Sequence, residues 1–246
     1  MSATGKTIVL VTGANQGLGY ELSRRLAADY AGYHILMGAR NATKGEEAAK
    51  TLQDEGLSVE TIDIDVTNEE SIAAAATRVE STFGRLDVLV NNAGATLEGK
   101  MPPGTGLQET MRACFDVNAI GPYLVTEAFV PLLKKSDHPR VVFMSTGLGS
   151  IANRVNPEAQ YAAFQLPGYR SSKAALNMIV AHYAAAYSKE GWKVNASCPG
   201  FCATGFNGYR GTDSPQSGIV NAVRLATLGK DGPTGSFSNT EGPVPW

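Results

Sequence analysis

The strongest constraint in this sequence is a rhythm in which short β-branched runs alternate with longer segments of helical character. Thr7 to Val11 precedes Gly17 to Asp29, Tyr33 to Met37 precedes Thr43 to Glu55, and Val59 to Ile62 precedes Asn68 to Phe83. Repetition of this kind builds βαβ units and hence a parallel sheet. Leu86 to Val90 and Val141 to Met144 are nearly continuous apolar runs, the pattern of strands covered on both faces. Tyr169 to Lys189 reads as a long helix, Lys193 to Ser197 as a strand, and Pro215 to Leu228 as helical again after a Gly- and Ser-rich stretch. The expected fold class is α/β, a doubly wound parallel sheet of about seven strands flanked by helices on both faces. At 246 residues this is expected to be one domain, 1–246. Thr67 and Glu70 have capping-box spacing, which predicts a helix start there and a preceding strand that ends near Asp65.

Charge and cysteine content narrow the function classes. A net charge of -2 with no cluster of Lys and Arg offers no field for nucleic acid or anionic lipid. The apolar run Ile8 to Val11 is too short for a signal-peptide core, and no segment approaches membrane-spanning length. Cys114, Cys198 and Cys202 are an odd set without metal-ligand spacing, so a reduced, cytoplasmic protein without a metal site is expected.

Two places carry chemistry. Thr12-Gly13-Ala14-Asn15-Gln16-Gly17-Leu18-Gly19 follows the first strand and opens the first helix. Glycines there let a backbone approach a pyrophosphate, which the free N–H groups and dipole of the helix N-terminus stabilise; a tight strand-to-helix turn also uses glycine for steric reasons alone. The second strand ends in Gly38-Ala39-Arg40-Asn41, without the acid that would accept hydrogen bonds from the ribose diol of NAD. Arg40 offers instead a fork of donors suited to a 2′-phosphate, with Lys44 a turn further on, unless it is a solvated surface arginine. NADP(H) is therefore the expected cofactor.

Tyr169 and Lys173 are spaced i, i+4, so on a helix they share a face. Carbonyl reduction needs a proton donor at the oxygen, and a phenol of pKa about 10 is a poor one at neutral pH. Lowering it by three units takes about 4 kcal/mol, comparable with one ammonium about 4 Å away at an effective dielectric of about 20. Lys173 is expected to supply that charge.

With Asn91-Asn92-Ala93-Gly94 after the fourth strand, Asn118 in Val-Asn-Ala-Ile-Gly, and Pro199-Gly200 followed by Thr204, the chain resembles the short-chain dehydrogenase/reductase family over nearly its whole length. Arg40 and the Gly- and Pro-rich tail are most similar to its carbonyl reductase and menthone reductase-like subgroup, whose members generally use NADPH. The resemblance implies a single-domain Rossmann fold with Tyr169 as general acid or base. Lys173 would lower the Tyr169 pKa and bind the nicotinamide ribose, and Asn118 would hold a water in a proton relay. It also implies a dinucleotide against Gly13, Asn15, Gln16, Gly17, Leu18 and Gly19. Asp65 and Val66 would edge its adenine; Asn91, Ala93 and Gly94 its adenosine ribose; and Pro199, Gly200 and Thr204 its nicotinamide end. Without the resemblance, Asn118 reads as a residue bonded to backbone, Asp65 as a cap and 91–94 as a structural turn.

Two positions depart from the family pattern. Ser145-Thr146-Gly147-Leu148-Gly149 places Thr146 where the family has the serine that polarises the substrate carbonyl, with Ser145 as the alternative. Threonine keeps the donor, adds a methyl group and restricts the rotamer. Gln16 stands where NADP-preferring relatives often have a basic residue. His34, His138 and His182 are isolated, whereas Tyr161, Phe164, Phe201, Phe206 and Tyr209 flank the site and either line a hydrophobic pocket or pack its loops. The expected activity is NADPH-dependent reduction of a small-molecule ketone or aldehyde. An alcohol dehydrogenase working oxidatively and a non-catalytic NADP(H)-sensing protein are the alternatives, and a homo-oligomer, dimer or tetramer, is expected.

Overall fold

The computed structural model describes residues 5–246, so Met1–Thr4 of the expected domain lie outside the described residues. Its strands are β1 (Thr7–Thr12), β2 (Tyr33–Ala39), β3 (Val59–Asp63), β4 (Val88–Asn91), β5 (Arg140–Met144), β6 (Lys193–Ser197) and β7 (Phe237–Ser238). They form one seven-stranded sheet ordered β3-β2-β1-β4-β5-β6-β7, parallel throughout. The helices are α1 (Gly17–Asp29), α2 (Ala42–Asp54), α3 (Glu69–Phe83), α4 (Leu107–Phe115), α5 (Gly121–Leu133), α6 (Ile151–Val155), α7 (Pro167–Ala186), α8 (Pro215–Gly218) and α9 (Val220–Ala226). The doubly wound fold is as expected. Among the described residues no helix is long and apolar enough to cross a membrane.

Alternation along the strands divides the core into two layers. Ile8 and Leu10 of β1 belong to a cluster with Ile72 and Val79 of α3, Val125 and Phe129 of α5, and Leu176 and Val180 of α7. Val9 and Val11 turn the other way, to Leu22 and Leu26 of α1, Leu52 of α2 and Leu225 of α9. Burial on both faces explains why the strands read as unbroken apolar runs. The chain leaves β1 toward β2 and later crosses back to β4, which puts the topological switch point, the crevice where open α/β sheets bind their ligands, at the carboxyl ends of β1 and β4.

Several boundaries differ from expectation. Helix α3 is capped by Asn68, whose side chain accepts the Ser71 N–H. The Thr67 hydroxyl instead donates to Asp65 Oδ1, so the Thr67–Glu70 capping box does not form; of two adjacent cap formers, the one nearer the helix has the working geometry. The strand before it stops at Asp63. Helix α7 starts at Pro167 and ends at Ala186, before a separate 3-10 turn at Ser188–Glu190. Pro215 to Leu228 divides into α8 and α9.

Helices α4 and α5, which the sequence pattern does not resolve, are joined by a π-turn at Asp116–Ile120. Pro122 has no N–H with which to close an α-helical bond to the Asn118 carbonyl, and the helix widens at that point.

Candidate active site

The β1–α1 turn is latched to the segment after β4. Thr12 Oγ1 accepts the N–H groups of Asn92 and Ala93, each at 3.0 Å, and Asn92 Nδ2 donates to the carbonyls of Thr12 (2.8 Å) and Gly13 (3.1 Å). Gly13 and Gly17 have left-handed backbones, with φ of 64° and 59°, a conformation open to glycine at little cost. At Gly19 a Cβ would stand 2.4 Å from both Asn92 Nδ2 and the Gly13 carbonyl, so a side chain there would force the latch apart. Helix α1 has no side-chain cap from Gln16 and no acid in its first turn, leaving its first N–H groups for an anion. Asn15 and Gln16 share a shallow cleft of about 470 Å³ with Tyr20 and Lys44. Leu18 packs against the core layer beneath α1. Arg40, just past β2, is exposed.

The adenine-side residues are placed with mixed freedom. Asp65 Oδ1 accepts the N–H (2.9 Å) and hydroxyl (2.7 Å) of Thr67, so it does act as a local turn-former. Val66 is buried, and a Cβ at Gly121 would lie 2.7 Å from its carbonyl oxygen, which fixes this loop against α5. Asn91 is buried and donates to Thr126 Oγ1 at 3.0 Å, bracing β4 against α5.

At the other end of the crevice, α7 brings Tyr169 and Lys173, both buried, onto its sheet-facing side. Lys173 Nζ donates to the Met144 carbonyl at 2.8 Å. Glycines make room for it: a Cβ at Gly149 would lie 2.8 Å from Lys173 Cβ, and one at Gly94 would meet both Asn118 Oδ1 (3.1 Å) and Lys173 Nζ (3.4 Å). Asn118, fully buried in the π-turn, accepts from Ala95 N (2.9 Å) and donates to Ala95 O (2.8 Å) and Ser172 Oγ (3.1 Å). Its side chain therefore ties the post-β4 loop to α7 and is fully engaged with protein.

Ser145 donates to Asn177 Oδ1 at 2.5 Å and is buried, so its hydroxyl is committed to α7. Thr146 is half-buried, its Oγ1 accepting the Leu148 N–H at 3.2 Å, and its hydroxyl faces the Tyr169 phenol, whose pKa it lowers. Gly200 has φ of 80° in the bend that begins at Pro199, and Thr204 lies 3.7 Å from where a Gly17 Cβ would be. The segment after β6 thus closes over the first helix turn.

The electrostatics depart from expectation. Burial pushes the Tyr169 phenol well above its ordinary value, the Cys198 thiol and Glu98 carboxylate push the same way, and the Thr146 hydroxyl opposes them. Lys173 does not counter that shift; one of its ammonium N–H groups goes to the Met144 carbonyl, and burial lowers its own pKa to about 8. The phenol is held neutral across the physiological range, so it carries the proton to be donated, but burial makes it a weaker acid than a free phenol.

The expected aromatic wall is partly assembled. Tyr161, Phe164 and Phe201 form a three-ring cluster with centroids 5.7 to 6.0 Å apart, and Phe206 lies 5.7 Å from the Tyr169 ring. Tyr209 is 74% exposed and adds little to the wall. Lys100 donates to the Phe206 carbonyl and lies over its ring, bridging the post-β4 and post-β6 loops.

Sequence reasoning quoted Thr12 and Asn92 inside its motifs without giving them a role, and missed Glu98 and Ser172. Glu98 Oε1 accepts the Tyr169 N–H at 2.8 Å and so caps α7, whose own N-cap residue, Leu166, has no side-chain acceptor. No local signal marks a cap supplied from 71 residues away.

Comparisons with known proteins agree with this geometry. A family model described as short chain dehydrogenase matches residues 7–215. A protein named short-chain dehydrogenase anuI from Penicillium roqueforti is 42% identical, covering 93% of this chain and 92% of the relative. The (+)-neomenthol dehydrogenase of Arabidopsis thaliana is 32% identical, covering 93% and 94%. Among solved structures, the NADPH-bound carbonyl reductase from chicken fatty liver superposes with a TM-score of 0.82 at 27% identity, covering 98% of this chain and 99% of that one.

Proposed function

Because the chain belongs to the short-chain dehydrogenase family, in its carbonyl reductase-like subgroup, and is an oxidoreductase of that fold, we propose that it reduces a ketone or aldehyde to an alcohol with NADPH. The observation that carries this reading is a buried, neutral Tyr169 beside the half-buried hydroxyl of Thr146, at the crevice where the glycine turn ends. Names among the relatives include a neomenthol dehydrogenase and an NADPH-bound carbonyl reductase, in keeping with that chemistry.

The residues fit a dinucleotide: two left-handed glycines, an uncapped helix start without acids, and a free guanidinium past β2. Gly13, Asn15, Gln16, Gly17, Leu18 and Gly19 would hold the pyrophosphate, and Arg40 with Lys44 a 2′-phosphate. Asp65 and Val66 would border the adenine, with Asn91, Ala93 and Gly94 along the adenosine side. Tyr169, Lys173, Pro199, Gly200 and Thr204 would surround the nicotinamide end. Bound there, the reduced nicotinamide supplies hydride to the carbonyl carbon.

The chain's own residues do the rest. Thr146 hydrogen-bonds the carbonyl oxygen and orients it, and Tyr169 transfers its proton to that oxygen. Lys173, while protonated, offers its remaining N–H groups to the nicotinamide ribose, and Asn118 holds the post-β4 loop against α7. Donation leaves Tyr169 as a phenolate, the same species from which oxidation starts and one that must regain a proton from solvent before the next turnover. The direction is therefore set by NADPH as the hydride donor and not by the tyrosine. We further propose a cytoplasmic setting for the three free thiols. A second copy, in a dimer or tetramer, is proposed against the exposed Met111, Tyr123 and Met178 on α4, α5 and α7; a monomeric mass in solution contradicts that assembly.

The test is NADPH consumption by purified protein across a carbonyl panel, with wild type and Arg40→Asp compared. Arg40→Asp is expected to raise the KM for NADPH at least about tenfold, the effect of one charge-assisted bidentate contact, and to leave that for NADH nearly unchanged. Equal effects on both cofactors contradict the assignment of Arg40.

A further inference from the structure

Arg170, the residue after Tyr169, is a buried cation that the mechanism does not use. Only 8% exposed, it donates from Nε to the Phe164 carbonyl (2.9 Å), from Nη1 to the Leu148 carbonyl (3.2 Å) and from Nη2 to the Tyr161 carbonyl (2.8 Å). Burial and the nearby Arg154 lower its pKa, and no carboxylate acts to raise it. A guanidinium removed from water without a counter-charge is tolerated only where its nitrogens find acceptors, and here each of the three nitrogens donates to a separate carbonyl.

Those carbonyls belong to the wall of the site. Leu148 is two residues from Thr146 and donates its N–H to that hydroxyl. Tyr161 and Phe164 carry two of the three clustered rings, and the third, Phe201, comes from the segment after β6. Phe206, five residues after Phe201 in the same segment, lies 5.7 Å from the Tyr169 ring, so this segment links the cluster to the phenol. The segment is also strained: Tyr161 has φ of 67° and Leu166 of 26°, conformations that persist in non-glycine residues only when their surroundings impose them. Arg154 grips the same segment from its exposed side, through the Ala162 carbonyl at 2.9 Å.

We propose that Arg170 is a positioning residue that sets substrate shape: its fork locks the Tyr161–Phe164 segment and the Thr146 loop to the helix carrying Tyr169, so that the aromatic wall stands at a fixed height beside the reacting carbonyl. Flat ring ketones that lie against the wall depend on it; short open-chain ketones do not reach it. The inference rests on the reductase reading above.

The experiment measures NADPH-dependent reduction of 1-tetralone and of butan-2-one by wild type, Arg170→Gln and Arg170→Lys. In Arg170→Gln the ratio of kcat/KM for 1-tetralone over butan-2-one falls about tenfold, through the KM for 1-tetralone, the scale of one lost wall contact. Arg170→Lys, a single point charge that cannot fork across three carbonyls, recovers part of the ratio, and it is the working variant if Arg170→Gln does not fold. An unchanged ratio, or an equal loss of kcat with both ketones, overturns the proposal. If wild type reduces neither ketone, the carbonyl panel decides the reductase reading, and the positioning role is read from chymotrypsin cleavage after Tyr161 and Phe164. Cleavage at least tenfold faster in the variant than in wild type supports the lock, and equal rates overturn it.

Discussion

At the scale of single residues, burial rather than a neighbouring ammonium governs the phenol. Tyr169 is raised and Lys173 is lowered to about 8, both chiefly because the folded chain removes them from water. The titrating group in the working range is therefore Lys173. It is charged below about pH 8 and loses its proton as pH rises through that value, so the kcat/KM of ketone reduction should fall on the alkaline side with a midpoint near 8. The same depression, below the ordinary lysine value of 10.5, means that the amine costs stability while charged, and the cost is relieved progressively as pH rises from about 8 toward 10.5. Activity and the Lys173 contribution to Tm should thus move in opposite directions across that window, the latter read as the difference between wild type and Lys173→Met. An alkaline limb that appears only above pH 10 would assign it to the phenol instead.

At the scale of elements, a helix start tests how well local chemistry was read. Asn68 accepts the Ser71 N–H at 2.9 Å, so Asn68→Ala should destabilise the protein by about 1 kcal/mol and lower Tm by about 2–4 °C. Thr67→Val, which keeps the cap, should cost less, and the reverse order in thermal melts would restore the capping box. The units from β1 to α3 were legible because each combines an apolar strand, a turn former and an amphipathic helix. The stretch from 95 to 133 was not: α5 is apolar on most sides and holds both Pro122 and Pro131, so neither periodicity nor breakers marked it. Within the site, the glycine turn and the Tyr169–Lys173 spacing were visible as local patterns. Glu98 and Arg170 were not, because their roles depend on partners that the fold brings together.

At the scale of the whole molecule, the parallel sheet sets function by where its connections reverse. The crevice between the loops after β1 and β4 receives the glycine turn from one side and Gly94 and Asn118 from the other, while α7 lays Tyr169 and Lys173 along its edge. Two apolar layers hold this frame, leaving the loops free to shape the mouth. The claim on which the rest depends is that the buried phenol donates the proton. Its most direct measurement is the single-turnover rate of NADPH oxidation with a reducible ketone in wild type and Tyr169→Phe, with cofactor binding followed in parallel. The account predicts a fall of about 10²–10⁴-fold, the range for losing a general acid, with NADPH affinity within a few-fold of wild type. A variant that reduces the ketone at the wild-type rate contradicts it.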